Sequence, residues 1–311
     1  MDEGKVIAAQ KIIGTHVYNT PVLTSRLLNK MVSAELFFKC ESFQRAGAYK
    51  IRGATNAILN LSDEEKEKGV VTHSSGNFAQ ALSLAALLQN IPAYIVMPTN
   101  APTVKKAGVV EYEGHIIECE PTLEAREKTA ADISKSKGAT FVHPSNDIQV
   151  IYGQGTAGLE LLQEYPDLDI IVCPVGGGGL IAGSCLAVRD LQLDCEVIGA
   201  EPFEADDAYR SLITGTIEGN KTTNTIADGL KTQLGDRNFP IIKKHVKEII
   251  RVEEEEIVEA MKLFWQYMKV IIEPSSAVTL AAILRERSRF KNKKVGVILS
   301  GGNVDLQNLP F

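Results

Sequence analysis

Short runs rich in Val, Ile and Phe alternate with segments of helical periodicity along almost the whole chain. ELFFKCE (35–41), VVTHS (70–74), PAYIVMP (92–98), GHIIECE (114–120), ATFVHP (139–144), DIIVCPV (169–175), EVIGAEP (196–202) and VGVILS (295–300) have the length and composition of strands. Between them, AGLELLQEY and LIAGSCLAVRDL repeat their apolar positions at helical spacing. Continuous apolar strands separated by helices predict parallel sheets covered on both faces, an α/β fold. Four of the strands fall between residues 70 and 142 with helices among them. That block reads as a small inserted domain, 64–144, set into a larger domain formed by 1–63 plus 145–311, with a cleft between. Ser62 followed by Glu65 has capping-box spacing and predicts a helix start. The acidic run Glu253–Glu256 predicts another, where carboxylates meet the positive end of a helix dipole.

Composition narrows the partners. The 311 residues are 44% hydrophobic and 23% charged, with a net charge of −6 and no stretch concentrating Lys and Arg, which argues against nucleic acid or an anionic membrane. No apolar run approaches a membrane span, and MDEGK lacks the basic-then-apolar pattern of a signal peptide, so a cytoplasmic location is expected. The five cysteines are scattered, form no C-x-x-C pair and sit mostly in apolar runs; they read as buried free thiols, not as metal ligands.

Three segments carry candidate chemistry. Gly176–Gly179 lies between the strand DIIVCPV and the helix LIAGSCLAV, where backbone amides and a helix N-terminus favour an anion. A dinucleotide fingerprint fails on spacing, since Ile181 or Ala182 falls where its third glycine belongs; a single compact phosphate fits better, and a tight turn without ligand stays open. Lys50 begins the helical run of YKIRGATNAIL among small or apolar neighbours (Ala48, Tyr49, Ile51), which would desolvate its amine and favour the neutral form a Schiff base needs; Tyr49 could pack near a cofactor ring. Ser74-Ser75-Gly76-Asn77 ends one strand and opens a helix, an arrangement suited to a carboxylate. Near the C-terminus, LSGGN again puts a hydroxyl and glycines at a strand end, where open α/β sheets bind ligands.

These segments, with TPVLTS, FFKCESFQ, IPAYIVMP, EPFEADD, TIADGL, IIEPSSA and LSGGNVD, resemble the fold-type II pyridoxal-phosphate enzymes of the serine/threonine dehydratase group, most closely its eukaryotic serine racemase branch. The resemblance covers nearly the whole chain. It implies a tryptophan synthase β-like fold, two parallel-sheet domains with the cofactor in the cleft between them. It implies that Lys50 holds pyridoxal 5'-phosphate and is one of two bases, and that Ser75 is the second base on the other face of the substrate Cα. It places Asn77 on the cofactor hydroxyl, Gly176, Gly177, Gly178 and Gly179 on its phosphate, Ser300 on the pyridine nitrogen and Gly229 beside the ring. Ser74, Ser75, Gly76 and Asn77 would form the substrate carboxylate turn, with Arg126 near the substrate side chain. In EPFEADD it implies a divalent cation (Mg, Mn or Ca) held by Glu201, Asp207 and the Ala205 carbonyl, whereas spacing alone favours a solvated acidic loop.

The implied activity is interconversion of L- and D-serine with elimination of water to pyruvate and ammonia. Alternatives are an L-serine/L-threonine or threo-3-hydroxyaspartate dehydratase (ammonia-lyase), or an aspartate racemase. A β-replacement transferase of the same fold is disfavoured by the EPFEADD and SSGN segments. A homodimer is implied. Three departures stand out: Phe78-Ala79 where the group commonly has His then Gly, Arg45-Ala46-Gly47-Ala48 in place of Lys-Thr-Gly-Ser, and Ser25-Arg26 in place of Ser-Ser. The first makes a more apolar pocket entrance an expectation; the other two fall in segments associated with a nucleotide activator and argue against ATP activation.

Overall fold

The computed structural model describes residues 3–101 and 103–311. Among the described residues, ten strands form two sheets: β1 (Val22–Leu23), β2 (Glu35–Cys40), β3 (Val70–His73), β4 (Ala93–Pro98), β5 (His115–Cys119), β6 (Thr140–Phe141), β7 (Ile170–Pro174), β8 (Glu196–Pro202), β9 (Val246–Val252) and β10 (Lys294–Leu299). The larger sheet has the order β1-β2-β10-β7-β8-β9 and is parallel except for the β1–β2 pair; the smaller, β5-β4-β3-β6, is wholly parallel. All eight apolar runs form strands. The two further strands lack that signal for physical reasons. β1 is a two-residue antiparallel edge, and β9 (VKEIIRV) is an outer strand whose charged positions break its apolar run.

Each face of the larger sheet has its own core. One includes Phe38, Val172, Ile198 and Phe264; the other includes Leu159, Ile171, Ile181 and Val197. Alternate residues of β7 and β8 thus point to opposite cores, the covering on both faces that parallel sheets require. In the smaller unit, Val70, Ile95 and Met97 pack with Leu82 and Phe78, and also with Ile51, Ala54 and Ile58 of the helix Lys50–Leu59 and with Val150. That helix therefore joins the small unit's core to the large unit, and it crosses the helix Ile148–Glu164 at very short range. A Cβ on Gly53 would lie 2.8 Å from the Val150 carbonyl oxygen, and one on Gly153 would lie 2.5 Å from that of Arg52, so both positions exclude larger residues.

Local signals took the form their chemistry predicts. Ser62 and Glu65 make a reciprocal capping box at the helix Asp63–Lys68, and Glu253 and Glu256 make another at Glu254–Leu263. All five cysteines are buried free thiols; burial pushes those of Cys40, Cys173 and Cys195 up to about 12. Among the described residues, no helix is long and apolar enough to cross a membrane.

Candidate active site

The chemistry-bearing segments converge at the carboxyl ends of four strands. Gly176–Gly179 follows β7, Ser300 and Gly301 follow β10, Ser74–Asn77 follows β3, and His143 follows β6. This is where parallel α/β sheets place ligands, because every crossover leaves a loop at that end.

Lys50 lies half-buried at the head of its helix, and its Nζ donates to the Pro144 carbonyl at 3.1 Å. The rings of Tyr49 and Phe78 flank the amine at 5.1 and 5.8 Å. Desolvation lowers the Lys50 pKa to about 8, against an opposing pull from Glu273. Phe78 is buried beside the lysine in the small unit's core, so the expectation that it makes the pocket entrance more apolar is corrected: it walls the amine from within. Tyr49 is anchored by its backbone N–H, which donates to the Ser300 carbonyl at 2.9 Å; burial raises its phenol pKa.

Glu273, a residue that pattern reading passed over, organises this end of the cleft. It is 3% exposed, and both its oxygens accept from Asn77 Nδ2, at 3.0 and 2.9 Å. Burial, then the charge of Asp228, raises its pKa to about 7. Asn77 Oδ1 accepts from Asn303 Nδ2 at 3.0 Å, so both ends of the Asn77 amide are fixed. The available signal was a lone acid within the apolar run VIIEPSSA, since an isolated carboxylate inside a core is retained only with partners. Ser300 is 3% exposed; its hydroxyl lies 3.1 Å from that of Ser276, which also bonds the Gly301 carbonyl at 2.8 Å and the Gly301 N–H at 2.9 Å.

The glycine loop is buried throughout and opens the helix Gly179–Asp190. Its glycines answer to protein packing on one side. A Cβ on Gly177 would fall 2.3 Å from Ser145 Oγ, one on Gly176 would fall 2.8 Å from Leu230 Cα, and Gly178 holds φ +78°. The helix's first N–H groups have no carbonyl one turn back to bond, and burial denies them water, so the loop suits a compact anion. Gly229 overlies this loop, its N–H donating to Ser275 Oγ at 3.0 Å. Ser74, Ser75, Gly76 and Asn77 are half-buried at the start of the helix Asn77–Leu87.

Arg126 sits one layer out, on the helix Leu123–Lys137, with Nε bonded to the Thr122 carbonyl at 3.3 Å. After burial, its charge is the largest influence lowering the His73 pKa. His73 meets Phe141 and His143 at ring separations of 5.4 and 5.7 Å, and the charges of His73 and Lys50 add to burial in lowering the His143 pKa.

Glu201, Ala205 and Asp207 form a separate centre at the carboxyl end of β8, all fully buried. Glu201 accepts the N–H groups of Ala208 and Tyr209, at 3.0 and 2.9 Å; Asp207 Oδ2 accepts that of Leu234 at 3.0 Å, while Asp207 Oδ1 is buried with no partner. Burial and then Asp207 push the Glu201 pKa well up, and burial raises that of Asp207 to about 6. Outside, Arg251 stacks 3.8 Å from the Tyr209 ring and pairs with Asp206 at 2.9 Å, pinning the loop. Among the described residues no three His, Cys, Asp or Glu gather, so a cation here would need backbone and water oxygens besides the two carboxylates.

A half-buried, desolvated lysine, a glycine cradle at a helix start and a hydroxyl at the facing strand end define a site for an aldehyde cofactor bearing a phosphate. The chain belongs to the family of pyridoxal-phosphate dependent enzymes, whose description matches residues 13–301. It is similar to the β-hydroxyaspartate dehydratase of Paracoccus denitrificans, 50% identical over 306 residues (98% of this chain, 97% of the relative). The serine racemase of Dictyostelium discoideum is 48% identical over 305 residues (97% of this chain, 94% of the relative), and a structure of it matches with TM-score 0.93 over 97% of this chain and 98% of that one. Maize serine racemase matches with TM-score 0.96 at 46% identity, covering 98% and 94%. The fold is the fold-type II arrangement of two parallel-sheet domains.

Proposed function

We propose that this enzyme interconverts L- and D-serine and, in a second reaction, eliminates water from serine to give pyruvate and ammonia. The observation that carries the reading is the Lys50 amine, brought to about 8 in the cleft whose rim is the Ser74–Asn77 turn. When bound, pyridoxal phosphate withdraws electrons from the substrate Cα and makes its proton removable. The residues present fit that group: Lys50 would hold its carbonyl carbon, Gly176–Gly179 its phosphate, Asn77 its ring hydroxyl and Ser300 its ring nitrogen. Tyr49 and Gly229 would flank it.

Ser74, Ser75, Gly76 and Asn77 would receive the substrate carboxylate at the helix N-terminus. Lys50, once neutral, takes or returns the α-proton on one face, and Ser75 does so on the other. Retention of the β-hydroxyl gives the opposite enantiomer; its loss leads to pyruvate and ammonia. Lys50→Ala should abolish both reactions, and Ser75→Ala should suppress racemisation more than elimination. Chiral chromatography with keto-acid detection on L-serine, L-threonine, L-aspartate and L-threo-3-hydroxyaspartate tests the reading. Keto acid without any D-enantiomer would leave a dehydratase.

A specific observation favours dehydration of threo-3-hydroxyaspartate as the second reading. A relative at 50% identity bears the name β-hydroxyaspartate dehydratase, and Arg126, whose charge lowers the His73 pKa, would supply the cation for a distal carboxylate. Aspartate racemisation would draw on the same arginine.

The same reading places Mg, Mn or Ca between Glu201, Asp207 and the Ala205 carbonyl. The partnerless Asp207 Oδ1 and the mutual repulsion of two buried carboxylates fit a hard cation. It also includes a cytoplasmic homodimer without ATP activation; exposed Tyr18, Leu27 and Phe43 near the β1 edge support association. Sedimentation of the purified protein tests the dimer.

A further inference from the structure

Residues 142–147 carry the chain from β6 of the small sheet into the helix Ile148–Glu164 of the large unit, past both halves of the site. The backbone there is neither strand nor helix, so its shape depends on side chains. Asp147 caps the helix that follows, accepting the N–H groups of Gln149 and Val150 at 2.8 and 3.1 Å. Ahead of it, His143 Nδ1 accepts two backbone N–H groups, those of Ser145 at 3.2 Å and Asn146 at 2.9 Å.

The turn so closed touches Lys50 on one side and the glycine loop on the other. Its Pro144 carbonyl receives Lys50 Nζ. Its Ser145 lies where a Cβ on Gly177 or Gly179 would strike it, at 2.3 and 2.9 Å, and the Ser145 carbonyl accepts from Asn238 Nδ2, which also donates to the Gly177 carbonyl at 2.7 Å. Asn146 holds the far end, its Oδ1 accepting the Arg237 N–H at 2.9 Å.

We propose that His143 is the positioning residue that sets Lys50 and the phosphate cradle at a fixed separation, its Nδ1 folding the 144–146 turn that contacts both. A ring that accepts at Nδ1 carries its one proton on Nε2. Burial, then the charges of His73 and Lys50, hold the His143 pKa at about 4, so this neutral form persists at working pH. The role applies whichever amino acid is the substrate.

Asn and His present an acceptor at the same distance along the side chain, whereas Leu fills similar space with none, so His143→Asn and His143→Leu separate hydrogen bonding from packing. The experiment titrates cofactor-free protein with pyridoxal phosphate, following lysine-bound absorbance, with a thermal melt of each cofactor-free variant beside it. Losing an acceptor shared by two amides should weaken cofactor binding by about tenfold or more in His143→Leu and by no more than about threefold in His143→Asn. A folded His143→Leu protein that binds as the parent does would overturn the assignment. So would an Asn variant that loses tenfold or fails to fold. If only the Leu variant fails to fold, the affinity of the Asn variant decides alone.

Discussion

Replacing Arg52, two residues after Lys50, by methionine should destabilise the enzyme by about 3–5 kcal/mol, the range for removing one partner of a buried ion pair. The guanidinium is fully buried. Its Nε and Nη2 bond the two oxygens of Glu41 at 2.7 and 2.9 Å, and its Nη1 and Nη2 bond those of Glu160 at 2.7 Å each. Lys39 Nζ completes the cluster 2.6 Å from Glu160, so two cations balance two carboxylates. Burial alone would lower the Arg52 pKa, but the two glutamates together raise it above its ordinary value. Arg52→Met leaves Glu160 with Lys39, and Glu41 with the Thr20 hydroxyl at 2.6 Å. Glu41 then becomes a buried charge without a cation.

The loss is large against a typical total stability of about 5–15 kcal/mol. Urea unfolding of the cofactor-free protein measures it, and Arg52→Met with Glu41→Gln should recover part of it by restoring charge balance. The acid limb gives a second check. The cluster holds the Glu160 pKa below its ordinary value, despite burial. Its stabilisation is therefore complete above the usual glutamate range and disappears as pH falls through the folded value. Arg52→Met should flatten that limb. A single-variant loss below about 1 kcal/mol, in the range of an exposed pair, would refute the reasoning.

Two further predictions concern the sites. Covalent capture of pyridoxal phosphate by the cofactor-free enzyme should accelerate as pH rises through about 8, where the Lys50 amine loses its proton; Glu273→Gln removes the charge that holds this value up, so the midpoint should move lower, and a stopped-flow midpoint that stays or rises contradicts the pairing. Asp207→Asn should raise the melting temperature in EDTA, by relieving two buried carboxylates, and abolish the increment from Mg²⁺; a retained Mg²⁺ response would move the cation elsewhere.

Much of this enzyme was legible in one dimension because strands, caps and glycine turns are set by neighbours in the chain. Apolar runs of five to seven residues marked eight strands, Ser62 with Glu65 marked a helix start, and the strand–glycine–helix order at 170–180 marked a buried glycine turn that opens a helix. The family's motifs supplied roles that spacing could not. Tertiary structure alone decided what depends on distant residues meeting. Glu273 reaches Asn77 across 196 positions, Arg52 reaches Glu160 across 108, and Pro144 meets Lys50 across 94. A carboxylate or histidine carries the same letter whether solvated or enclosed; its charge state and its role are fixed only when the fold removes water from around it and brings a partner to it.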